Sequence, residues 1–142
     1  MDWVKKYVRG FKDKLFSKDD ILKIIIDINM EILNEFIEQG FGDKKTDITE
    51  NENTITLILP NFKAIFNIND KNLVINGYDL KDRNFEQIIV KYIDVNNLYV
   101  LLYSDDKKKT TYEYEYINKD IIYKILEILN MSLIYSNQNL VQ

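Results

Sequence analysis

The chain has 142 residues, 46% of them hydrophobic, and a formal charge of −4. That is the size of one ordinary domain, with enough apolar material to build a core. It contains neither cysteine nor histidine, which excludes disulfides, thiolate nucleophiles, Ser-His-Asp and Cys-His catalysis, and every metal site built on imidazole or thiolate.

One proline and four glycines leave no room for a linker-rich architecture. The acidic balance argues against a nucleic-acid footprint. The N-terminal segment has charges threaded through it and does not read as a secretory signal, so the expected compartment is the cytoplasm. The abundance of Lys, Asn and Ile suggests an AT-rich genome and, as a general type, a small accessory protein of a bacterium, plasmid or phage.

Residues 2–16 place Trp3, Val4, Tyr7, Val8, Phe11 and Leu15 on one helical stripe, with Lys5, Lys6, Arg9, Lys12 and Lys14 opposite. Residues 1–18 carry six basic and two acidic side chains, a charge of +4, so the rest of the chain carries −8. Such a helix either docks on its own acidic domain, the preferred reading, or lies on an anionic membrane or a partner through Trp3, Lys5, Lys6 and Arg9.

Ser17 is placed to cap a second helix, with Asp19 and Asp20 in its first turn and Gly40 just past its end. Its apolar arc is wider than one face, because Ile24, Ile26, Met30 and Ile37 add to the main Ile21–Ile25–Ile28–Ile32 stripe. Asn29 lies inside that arc, where a buried amide requires a hydrogen bond.

After Gly42 the period changes to two. The pattern predicts strands near residues 46–50, 54–60, 62–68 and 73–77, with turns at 51–53 and at Pro60-Asn61. Residues 84–94 fit both periods; the running meander favours a strand. Residues 98–104, "LYVLLYS", and 110–117, "TTYEYEYI", flank the "DDKKK" turn. Asn118 caps a last helix over 119–134, and residues 136–142 read as a frayed tail. The expected fold class is α+β: two N-terminal helices, an antiparallel β-meander of about five to seven strands and a C-terminal helix, in two layers.

The tyrosines are the most conspicuous side chains. In the return strand Tyr112, Tyr114 and Tyr116 point one way and Glu113 and Glu115 the other, and hairpin pairing sets Tyr99 and Tyr103 beside them. The simplest reading is a core face whose phenols reach the rim. The functional reading is a surface for a protein partner, or a ligand pocket between sheet and helices lined by Tyr99, Tyr103, Tyr112, Tyr114 and Phe66. The interleaved glutamates repel phosphate, which counts against base stacking.

Arg83, beside Asp79 and Asp82, is expected in a loop ion pair. The spacing of acidic residues is not that of a calcium loop, and there is no glycine-rich phosphate loop or dinucleotide fingerprint, so no metal, cofactor or catalytic residue is assigned. The sequence thus points to a non-enzymatic interaction module of the inhibitor, immunity or accessory kind, partnered by another protein or by itself. The alternatives are the tyrosine pocket and membrane association through the first helix.

Overall fold

The computed structural model describes residues 2–12, 16–69, 71–105 and 108–141. Two helices, α1 (Asp2–Lys12) and α2 (Lys18–Glu38), precede seven strands: β1 (Asp47–Asn51), β2 (Thr54–Ile58), β3 (Lys63–Asn69), β4 (Asn72–Tyr78), β5 (Asn84–Ile93), β6 (Leu98–Asp105) and β7 (Lys108–Tyr114). Helix α3 (Lys119–Val141) closes the chain. The strands form one antiparallel sheet in sequence order, so every neighbour is joined by a hairpin. The α+β meander is as expected. Residues 13–15, in the predicted first helix, and Asp106 and Lys107, in the predicted "DDKKK" turn, lie outside the described residues, as does Asp70.

Local chemistry sets the element ends. Ser17 and Asp20 form a reciprocal capping box: Asp20 N–H donates to Ser17 Oγ at 3.2 Å, and Ser17 N–H donates to Asp20 Oδ2 at 2.9 Å. Past the other end of α2, Gly40 takes φ +85°, a conformation that costs glycine nothing. Asn118 Oδ1 accepts from the N–H of Ile121 at the start of α3. That helix runs on to Val141 rather than ending near residue 134, since no proline or glycine follows Ile134 to stop it.

One sheet face makes the core. Ile55, Leu57, Ala64, Phe66, Leu73, Ile75, Ile88, Val90, Tyr99 and Leu101 are fully buried there. They pack in one cluster with Ile21, Ile25 and Ile28 of α2 and with Ile121, Ile122, Ile125 and Leu129 of α3. Across the helix layer, Lys119 reaches Glu31 and Asp27, and the Tyr123 hydroxyl donates to Glu31. The outward residues of β6, Leu98, Val100 and Leu102, are only half-buried, so the second apolar face of this strand is not sealed.

Two features depart from expectation. Every side chain of α1 from Asp2 to Arg9 is exposed, so the Trp3–Val8 part of the stripe is not docked on the domain. Amphipathic spacing requires that a face be covered but does not say by what. Asn29 is the second: its Oδ1 is sealed from solvent, and among the described residues no donor reaches it.

Residues 84–94 form a strand, and a bulge explains their double pattern. Gly77 pairs with Glu86 while Tyr78 pairs with Asn84, which leaves Phe85 as the extra residue. Both Phe85 and Glu86 therefore reach the helix layer: Phe85 lies against Gly77 and makes an edge contact with Phe62 at 6.0 Å, and Glu86 bonds to α3.

Candidate functional site

The bulge opens a cleft between the start of β5, the inner ends of β6 and β7, and the outer flank of α3. Its volume is about 800 Å3, and its walls include Glu86, Tyr103, Tyr112, Lys124, Met131 and Tyr135.

Strand register builds the tyrosine wall. Leu101 pairs with Tyr112 and Tyr103 with Thr110, so Tyr103 and Tyr112 are diagonal neighbours. Their rings stack 5° from parallel with centroids 6.4 Å apart. Helix α3 supplies the opposite wall through a three-and-four spacing: Lys124, Ile128, Met131, Ser132 and Tyr135 share one flank.

Lys124 Nζ sits 4.6 Å from the centre of the Tyr112 ring and 3.6 Å from Glu127 Oε1. Partial burial works against its charge, but Glu127 and Tyr112 outweigh it and raise the ammonium pKa above the ordinary lysine value. On the β5 side, Ser132 Oγ donates to Glu86 Oε2 at 3.0 Å, and Gln87 N–H donates to Glu86 Oε1 at 3.1 Å. Asn84 Nδ2 donates to the Gly77 carbonyl at 3.2 Å and closes the bulge. The cleft thus offers stacked aromatic rings, a fixed cation and an oriented carboxylate. Among the described residues no group of three or more acidic side chains is placed to hold a metal ion.

The structure brings together two of the predicted tyrosines, Tyr103 and Tyr112. Tyr99 and Phe66 are sunk in the core instead. Tyr99 contacts Phe16 and Tyr92 at centroid distances of 5.9 and 5.2 Å, and burial with the neighbouring Tyr92 pushes its phenol up to about 12. Tyr114 is half-buried opposite Tyr99, and burial raises its pKa against the pull of Lys124. Tyr116 lies beyond the end of β7, exposed by 44%, and does not join the row.

Sequence reasoning missed the α3 wall. Its signal was present: Lys124, Met131, Ser132 and Tyr135 lie at the border of the apolar face. Nothing local showed that this border would meet β5 and β7.

The second predicted surface is α1. Trp3 is 65% exposed, and Val4, Tyr7 and Val8 are exposed beside it, as are Lys5, Lys6 and Arg9.

No protein-family model matches the chain, and neither curated proteins nor solved structures give a match. No helix among the described residues is long and apolar enough to cross a membrane.

Proposed function

We propose that this chain is a non-enzymatic protein-interaction module that receives a partner in the cleft between α3 and the β5–β7 end of the sheet. The observation that carries the reading is the exposure of Met131 (62%) and Tyr135 (61%) beside the stacked Tyr103–Tyr112 pair. Tyrosine and methionine are enriched where proteins dock, because they give large contact area with little entropy to lose or readily repack. Glu86, Lys124, Glu127 and Ser132 supply the polar groups that fix orientation. The absence of His and Cys removes the commonest catalytic groups and supports a binding role.

A native chain without cysteine makes the test clean. A thiol-linked photocrosslinker at Met131→Cys, in lysate of the source organism, is expected to give one protein adduct. Adding Tyr112→Ala should abolish it. The same crosslinker at Thr56→Cys, on the opposite sheet face, should not give that adduct. Equal labelling from both positions would sink the reading.

The cleft volume also lies within the roughly 300–1,000 Å3 of small-molecule sites. A discrete added mass in native mass spectrometry, lost in Tyr112→Ala, would replace the protein partner with a small ligand.

A further inference from the structure

We propose that α1 is a peripheral anchor that lays its Trp3–Val8 stripe into an anionic lipid surface. This is independent of the cleft and uses other residues. Helix α1 has 11 residues, about 16 Å of helix. The side chains of Trp3, Val4, Tyr7 and Val8 are exposed, from 40% at Val4 to 65% at Trp3. Trp3, Val4 and Val8, with Tyr7 between them, share one side; Lys5, Lys6 and Arg9 lie on the other.

Charge selects the occupant. No acidic residue interrupts the helix between Trp3 and Lys12, while the chain beyond residue 18 carries −8. An anionic surface therefore attracts α1 and repels the body behind it. The side-chain types suit the same surface. Trp and Tyr favour the water–lipid boundary, where an apolar ring and a polar edge are both satisfied. Lysine and arginine stems lie along apolar surroundings while their heads stay among the lipid phosphates. A helix of this kind binds in the interfacial plane and does not span. An acidic protein groove or a second copy would satisfy the charge alone, but neither needs the boundary-seeking aromatics.

Trp3 is the only tryptophan, so its fluorescence reports α1 directly. The full chain is titrated with vesicles of phosphatidylcholine alone and with vesicles containing about one-third phosphatidylglycerol, in low salt and at about 0.5 M salt. The expected result is a blue shift and co-sedimentation with the anionic vesicles only, reversed by salt. The Lys5→Gln/Lys6→Gln variant should partition about 30-fold more weakly. Its side chains are exposed, and far-UV circular dichroism checks that the fold is intact. No blue shift and no sedimentation with anionic vesicles in low salt would overturn the proposal. So would equal binding to neutral vesicles. An emission already blue-shifted without lipid, and moving to the red on dilution, would put a second copy on the stripe instead of lipid.

Discussion

Leu129 of α3 occupies the space that a side chain on Gly77 of β4 would need: a Cβ built on Gly77 would stand 2.8 Å from Leu129 Cδ2 and 2.8 Å from Phe85 Cζ. The bulge at Gly77 and the close seating of α3 are therefore one feature, and the cleft beside them depends on it.

Gly77→Ala forces Leu129 and Phe85 to move, and Leu129 is fully buried. The expected cost is about 1–3 kcal/mol, read as a lower urea midpoint with an unchanged slope. Gly10→Ala is the contrast. Nothing lies within 4 Å of its built Cβ. It should raise helicity in α1 while leaving the midpoint in place, because the side chains of α1 from Asp2 to Arg9 are exposed.

Tyr99 gives an alkaline limit to stability. Its folded pKa is raised from 10.0 to about 12. The unfolded chain therefore ionises first as pH climbs. The stability contributed is complete below pH 10 and is lost as pH rises toward 12, a difference of about 2–3 kcal/mol. Denaturation midpoints from pH 9 to 12 should fall more steeply in the native chain than in Tyr99→Phe. Parallel curves would show that Tyr99 is not the group responsible.

Glu31 sets the opposite limit. Hydrogen bonds from Lys119 and Tyr123 hold its carboxyl below the ordinary value of 4.5. The clamp between α2 and α3 is intact above that value and is lost as pH falls through the lowered folded pKa. Glu31→Gln should be less stable at neutral pH and should lose less on acidification. The pair is solvent-exposed, so the difference should shrink in high salt.

Lys124 and Tyr112 are coupled across the cleft. A double-mutant cycle with Lys124→Met and Tyr112→Leu should yield a coupling of about 0.5–1 kcal/mol. A value of zero would mean that the cation–ring geometry is not populated in solution.

The regular elements were legible because their signals are local. The Ser17 capping box involves two residues three apart, and Gly40 follows α2 directly. The strands of the meander alternate by themselves, and Arg83 meets Asp79 at 2.8 Å inside one loop, as expected. The bulge was not legible. Phe85 and Glu86 both reach the helix layer, which breaks period two and imitates a helix.

The tyrosines show the same division. Alternation put Tyr99, Tyr103, Tyr112 and Tyr114 on one face, and the hairpin register then set Tyr99 opposite Tyr114. Whether each ring is core or surface depends on what lies above it. Phe16 and Tyr92 pack against Tyr99, whereas Tyr103 and Tyr112 stand where α3 leaves a gap.

The sequence by itself determined where the helices and most of the strands lie along the chain, and which side chains of a regular strand share a face. Those follow from caps, turns and periodicity, which act between residues close in the chain. Only the tertiary structure decided the order of strands in the sheet, that Gly77 would meet Leu129, that the border of α3 would wall a cleft with Tyr103 and Tyr112, and that Trp3, Val4, Tyr7 and Val8 of α1 would stay exposed. Those depend on contacts between distant segments, and on which apolar faces are left over once the core has closed.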